Sequence, residues 1–499
     1  MLIIGAPNAA REVLEDTLQG DCDSICDDLH GDIDDVMRRR FLQLFCVLTL
    51  TGLCTVGVLN RNAEYSRLNL PKEPTIDCAE PVKELSCSIP AFTAEWSIIP
   101  GVDIEIYSAH LDDRIKDDSG VRQHTIRTIA LLRKSATQIK FFCIVNYPSG
   151  AQRSARASVD RIWLDSWDNG SHRDIPTPHI LSCNLGDATK ESPSSVSIVT
   201  DVCACPSNNL RVRKPPSPEG STHKKGFAVC VKGLFYPKDI SASLIQWIEM
   251  IHLLGAEHIQ FYLYHVHHKT RRTLKFYEKF RQVAVRKLTL PPREYPQGLG
   301  FLENFLKTRT WEKRRLELVP YNDCYYRMRN KYEYVVLLDI DEIIVPRDPD
   351  TGTWAGVMER IRETEAEAID KYASFAFTNA YFFRKLGTPI DILQQTERSA
   401  NLSRPGFAVK SFFTSDGSLA VFNHYTLIPL RAGTRKCAIV GPDIALVHHY
   451  RDSCPSKMEE ECASNFMKYK TNDMTILKYD VKLREAIAEV KANMKNAIY

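Results

Sequence analysis

Beyond residue 226 the period of the apolar positions switches repeatedly between two and about 3.6, which predicts strands alternating with helices. Phe227–Val231, His258–Tyr264 and Val283–Leu290 read as strands, with helices at Ile240–Leu254 and Lys269–Phe280 between them. Gly255 stops the first helix, because glycine enters the left-handed cap conformation without strain. A third helix, Glu312–Arg329, leads into Val335–Leu338, an unbroken apolar run that predicts a strand covered on both faces. This alternation predicts an α/β domain with a mostly parallel sheet and right-handed crossovers. Ser374–Phe383, Ala408–Phe413 and Ala445–Tyr450 read as later strands and Thr353–Glu365 as a helix. Glu459 to about Asn493 reads as a charged, solvated helical cover.

Upstream the pattern differs. Between Trp96 and Val202, short strands such as Val102–Tyr107, Ile139–Val145 and Ser195–Val199 are separated by turn-rich stretches, which predicts a small β-rich domain over 96–205. Residues 206–226 are basic and rich in proline and serine, the composition of a linker. Nearer the start, Phe41–Leu59 is a run of 19 residues without charge. That length crosses a bilayer core of ~30 Å. Arg38, Arg39 and Arg40 precede it, so the positive-inside rule places the N-terminus in the cytosol and the bulk of the chain in a lumen. The expected organisation is a cytoplasmic tail over 1–40, a transmembrane helix over 41–60, a stem over 61–95, the β-rich domain, the linker, and the α/β domain over 227–499.

A formal net charge of +3 implies no polyelectrolyte partner, and the basic linker lacks the interleaved aromatics of a nucleic-acid surface. Of the 15 cysteines, 11 lie beyond residue 60 and suit an oxidising lumen. The sequons Asn169-Gly-Ser171 and Asn401-Leu-Ser403 agree with that side of the membrane.

Candidate chemistry follows the apolar run. Asp339, Asp341 and Glu342 stand at its carboxyl end, the edge where open α/β sheets collect ligands. In extended backbone, residues two apart share a face, so Asp339 and Asp341 would point together. Adjacent carboxylates raise each other's pKa, a cost that a divalent cation such as Mg²⁺ or Mn²⁺ removes. An isolated Asp-x-Asp says little: Asp21–Asp23, Asp32–Asp34 and Asp348–Asp350 repeat it, none after a buried strand. His265, His267 and His268 have the look of a metal cluster, but they lie between a strand and a helix and read as loop. His448 and His449 fall on a late strand, where neighbours face opposite ways, so only one can reach a site.

Four segments together resemble glycosyltransferase family 92. They are Val229–Lys232 with Leu244–Glu249 and Leu253–Gly255, then Tyr321–Arg327, then Leu338–Glu342 with Val345–Pro346, and finally Val447–Arg451. Ile106–Arg114 resembles the segment that often precedes the catalytic domain in animal members, and Gln246 stands where the family pattern has glutamate. The resemblance implies a GT-A fold and a metal-dependent, inverting transfer of a hexose, most often galactose, from a UDP-sugar. The acceptor would be a glycan hydroxyl on a glycoprotein or glycolipid, and the protein a single-pass type II protein of the Golgi membrane. Mn²⁺ or Mg²⁺ would sit at Asp339 and Asp341, with Glu342 orienting them and His449, rather than His448, as third ligand. Asp339 and Lys232 would face the donor, and Asp323, just before Cys324, would either contact the nucleotide or lie on the helix surface. Inversion needs a carboxylate base near the acceptor hydroxyl. Asp391, Glu397, Asp416 and Asp443 are candidates among which the sequence does not choose. Two other readings stay open: a haloacid-dehalogenase-like phosphohydrolase, which also uses Asp-x-Asp after a buried strand, and a non-catalytic lumenal sugar-binding protein.

Overall fold

A computed structural model describes residues 90–92, 96–168, 174–188, 191–214, 224–364, 369–384, 390–454 and 459–496. The expected tail and membrane anchor, and nearly all of the stem, lie outside these residues. Among the described residues no helix is long and apolar enough to cross a membrane.

The first part is all β. Its strands are β1 (Ser97–Ile98), β2 (Ile104–Asp112), β3 (Gln123–Leu132), β4 (Phe142–Asn146), β5 (Gln152–Arg161), β6 (Thr177–Asp187), β7 (Ser195–Val199) and β8 (Leu210–Arg213). They pair in the order β1-β2-β3-β6-β5-β4-β7-β8, and β8 also pairs with β2, so the sheet closes into a barrel. Closure leaves few backbone groups exposed at edges. Leu210–Arg213, expected in the linker, is instead the closing strand: Leu210 and Val212 turn inward while Arg211 faces water. A disulfide joins Cys143 on β4 to Cys183 on β6. Strand β3 is covered on both faces. Ile126, Ala130 and Leu132 fill the barrel, and Ile129 and Leu131 pack against the following domain.

That domain begins with β9 (Lys225–Tyr236), α1 (Ser241–Leu253), β10 (Ala256–Val266), α2 (His268–Phe280), β11 (Val283–Lys287), α3 (Leu299–Thr308), α4 (Thr310–Met328) and β12 (Tyr332–Leu337). Gly255, at φ 103°, ends α1 as its sequence position suggests. Then come β13 (Glu342–Pro346), α5 (Trp354–Thr364), β14 (Ser374–Phe377), β15 (Asn379–Phe383), β16 (Glu397–Ser399) and β17 (Lys410–Thr414). The chain closes with β18 (Ser418–Val421), β19 (Thr426–Pro429), β20 (Ala438–Val440), β21 (Ala445–Arg451), β22 (Lys470–Asn472) and α6 (Asp480–Asn496).

The main sheet has the order β11-β10-β9-β12-β17-β14-β20. It is parallel through its first four strands and mixed beyond them, because β17 runs against both β12 and β14. The expectation of a mostly parallel sheet therefore holds for the first half only. The central strands are apolar on both faces: Val229, Val231 and Val336 face one core, Cys230, Val335 and Leu337 the other. The expected strand Ser374–Phe383 breaks at Thr378, and β15 joins a second sheet, β13-β21-β15. The expected C-terminal helix is long only from Asp480 onward, and its Leu483 and Val490 are buried in the α/β core rather than solvated.

Charge joins the barrel to the α/β domain. Asp112, at the end of β2, is buried among Arg114 at 2.8 Å, Arg127 at 3.1 Å and Arg329 at 3.2 Å. Arg114 also donates to the Ser415 and Ser418 carbonyl oxygens across the boundary. Burial alone would raise the Asp112 carboxyl, but the three arginines hold it well below the usual range. Glu105, on the same strand, has weaker compensation. It accepts the Arg293 and Glu294 N–H groups, yet burial pushes its carboxyl up to about 7.

A carboxyl raised in the folded state favours folding when protonated. This contribution is complete below the ordinary glutamate value and is lost as pH rises through about 7. Glu105→Gln keeps an accepting oxygen and removes the charge. Its melting temperature should match the parent near pH 5 and exceed it at pH 8, by on the order of 2–3 kcal/mol of stability. Equal melting temperatures at both pH values would show the carboxylate to be solvated.

Candidate active site

Strand β12 ends at Leu337, and the chain turns through Asp339–Asp341 before β13 starts at Glu342. The Asp339 carbonyl oxygen accepts the Glu342 N–H at 3.1 Å, and the Glu342 carboxylate accepts the Asp339 N–H at 3.1 Å. The two aspartates therefore sit on a turn, not on the extended backbone expected. The turn still gathers them and adds Glu342, so that one carboxylate oxygen of each lies within 4.8 Å of the others.

Neighbouring strands supply the compensation. Lys232 on β9 lies 3.3 Å from Asp339 and 3.3 Å from Glu317 of α4. Lys410, the fully buried first residue of β17, lies 2.8 Å from Glu342 and 3.4 Å from Asp339. Asn423 accepts from Lys410 at 2.7 Å and from the Tyr321 hydroxyl at 3.0 Å. Burial would raise the Asp339 carboxyl, but Lys232 and Lys410 hold it below the usual carboxylate range. Burial would lower both ammonium groups, but Asp339 foremost holds them above theirs. Glu317, Asp339, Asp341 and Glu342 thus face two lysines, and two negative charges remain over. Asp341, a third exposed, has His449 rather than a lysine beside it.

His449 arrives by strand register. Strands β13 and β21 are antiparallel with Glu342 opposite His449. The His449 Nε2 lies 3.7 Å from an Asp341 carboxylate oxygen, longer than a hydrogen bond. His448 faces the other way, stacked on Phe382 at 4.3 Å, and burial pushes its imidazole down to about 3. Both Glu342 oxygens are engaged, one by Lys410 and the Asp339 N–H, the other 3.5 Å from His449 Nδ1. Asp339, Asp341 and Glu342 are close enough together to hold a divalent cation, Glu342 the most tied up by Lys410, and His449 Nε2 stands beside Asp341 as a further donor. At the carboxyl ends of β9 and β10 opens a basic recess of about 540 Å³, lined by His265, His267, Arg271, Arg272 and Lys275 among others. There His267 caps α2 and its ring accepts the Lys269 N–H.

The structure therefore brings Asp339, Asp341, Lys232 and His449 together, and it places Asp323 elsewhere. Asp323 is fully buried, and its carboxylate is engaged by Arg213, Arg327, His110 and Tyr262. Burial alone would raise this carboxyl; Arg327, with His110 and Arg213, holds it well below the usual range. It bonds barrel to α/β domain and has no face open to a nucleotide.

Three candidate bases are displaced as well. Asp416 pairs with Lys224 beyond the end of β17 opposite to Lys410. Asp443 is exposed ahead of β21, whose first residue pairs with Pro346 at the far end of β13. Glu397 is exposed on β16 and paired with Lys470. Asp391 remains. The next residue, Ile392, donates its N–H to Gln246, and Trp247 beside Gln246 donates to the Glu342 carbonyl oxygen. Gln246, in place of the family's glutamate, thus holds the Asp391 loop. Lys410, Glu317 and Asn379 were not foreseen. For Lys410 a signal existed: it is the one charge within the apolar stretch Ala408–Phe413.

The family model for glycosyltransferase family 92 matches residues 225–487, just over half of the chain. The chain belongs to glycosyltransferase family 92, and that membership speaks against the phosphohydrolase reading. Among solved structures it is similar to S. aureus TarS 1–349, at 11% identity and TM-score 0.24, over 45% of this chain and 60% of that one. The same protein in complex with UDP-GlcNAc matches at 9% identity and TM-score 0.24, over 46% of this chain and 60% of that one. The chain thus spans about 60% of the length of those structures. A comparison with curated proteins gave no match.

Asp323→Asn should lower stability by ~3–5 kcal/mol, because it leaves buried arginines uncompensated. The folded enzyme should keep its KM for the donor. A raised donor KM with an unchanged melting temperature would return Asp323 to the nucleotide site.

Proposed function

We propose that this chain transfers a hexose, galactose foremost, from a UDP-sugar to a glycan hydroxyl with inversion, using Mn²⁺ or Mg²⁺. The observation that carries this reading is the pairing of Asp341 with His449 at the carboxyl end of β12, in a cluster with two uncompensated negative charges. When bound there, the cation would neutralise charge gathering on the UDP leaving group. Asp339, kept ionised by Lys232 and Lys410, fixes the turn from which Asp341 projects. Inversion requires the acceptor hydroxyl to attack opposite the leaving UDP, and Asp391 is the candidate left to take its proton.

The disulfides Cys143–Cys183, Cys230–Cys324 and Cys454–Cys462 suit an oxidising compartment. With the uncharged run at 41–60 as anchor, they support a type II protein of the Golgi membrane with a lumenal catalytic domain.

The test is turnover by the purified protein over UDP-galactose, UDP-glucose and UDP-GlcNAc, with Mn²⁺ and with a chelator. UDP-galactose should be consumed and the chelator should stop it. Asp341→Asn should cut the rate by ~10²–10³ without unfolding the protein. Full activity in chelator or in Asp341→Asn would overturn the metal reading. No turnover of any donor would favour the sugar-binding alternative.

A further inference from the structure

Where the chain leaves the main sheet for the three-stranded one, Asn379 is fully buried at the first position of β15. Its carbonyl oxygen Oδ1 lies 3.1 Å from His449 Nδ1, and its amide nitrogen donates to the Ser403 hydroxyl at 3.0 Å. The Ser403 N–H returns a bond to the Asn379 backbone carbonyl at 3.0 Å, so Ser403 holds both ends of the residue. Ser403 is itself buried. On the same side of the imidazole, the Glu342 Oε1 lies 3.5 Å from Nδ1. The Tyr381 ring packs beside the imidazole, with centroids 5.4 Å apart.

These contacts decide where the imidazole proton sits. A carboxylate can only accept, and an amide oxygen can only accept. Two acceptors therefore face Nδ1, which must carry the hydrogen. The orientation of the Asn379 amide is read from its bonding network, and the Glu342 carboxylate, 3.5 Å from Nδ1, lies on the same side of the ring. When the ring is neutral with Nδ1 protonated, Nε2 keeps its lone pair toward the Asp341 carboxylate 3.7 Å away, which in place of a cation would favour a second proton there. A histidine whose far nitrogen is held by an acceptor is the usual arrangement at a metal.

We propose that Asn379 and Ser403 are positioning residues that fix the His449 tautomer and present Nε2 to a divalent cation shared with Asp341. The proposal rests on the reading of Asp341 and His449 as cation ligands. Ser403 plays a second part in the sequence, since its hydroxyl completes the sequon at Asn401. A substitution at Ser403 thus touches both glycosylation and the relay, and the two have to be separated.

The test is Mn²⁺ binding to the full protein without donor, followed by electron paramagnetic resonance and calorimetry. Asn379→Leu, which removes the acceptor, should weaken Mn²⁺ by ~10–100-fold. Asn379→Asp, which keeps an acceptor for Nδ1–H, should hold affinity within a few-fold of the parent. Ser403→Ala should weaken Mn²⁺ and Ser403→Thr should restore it, while Asn401→Gln, which removes only the sequon, should leave it unchanged. If Asn379→Leu and Ser403→Ala bind Mn²⁺ as the parent does while Asp341→Asn and His449→Ala lose it, the relay is wrong and the cation site stands. If Asp341→Asn and His449→Ala also bind normally, the cation reading itself fails. Should Asn379→Leu not fold, equal losses in Asn379→Asp and in Ser403→Thr would overturn the relay.

Discussion

Buried negative charge has to be balanced by buried positive charge, and this requirement shapes the molecule in two places. At the carboxyl end of β12, Asp339 and Glu342 are tolerated because Lys232 and Lys410 reach them. Those lysines sit on β9 and β17, the two strands that flank β12. The sheet order is therefore what makes the acidic turn possible. Breaking one partner of such a set leaves a naked buried charge, which costs several kcal/mol. At the barrel boundary the same logic holds with arginine: Asp112 and Asp323 are each ringed by guanidinium groups.

Helix α4 links the two places. Glu317 and Tyr321, four residues apart and so on one face, point to the Lys232 and Lys410 cluster. Asp323 and Tyr325 bond to the barrel residues His110 and Arg114. Cys324 lies between them and is joined to Cys230, two residues before Lys232. A helix buried on several faces explains why its apolar residues show no single stripe. The barrel is then more than an appended module: it covers one side of the helix that frames the site.

Much of this was legible in the chain. The apolar run before Asp339, the cap at Gly255 and the helices on either side of β10 depend on local periodicity, and local periodicity is visible. The separation of His448 from His449 follows from strand alternation, with register Glu342↔His449 setting which one faces the acids. What escaped depends on long-range pairing. The turn at Asp339–Asp341 is set by a carboxylate reaching back to a backbone N–H. Leu210–Arg213 carries linker-like charge yet closes a barrel with β2, about a hundred residues earlier. Asp323 looked like a nucleotide contact because nothing local shows that Arg213 and His110 converge on it. Asp416 and Asp443 lie in the right part of the sequence but at the wrong ends of their strands.

The central claim is that Asp341 and His449 share a cation at the end of β12. Diffraction from crystals of the protein grown with Mn²⁺ and UDP, recorded at the manganese absorption edge, tests it most directly. The account predicts one anomalous peak between the Asp341 carboxylate and His449 Nε2, with Lys410 still on Glu342. No peak there, or a peak held by Glu342 after displacing Lys410, would contradict it.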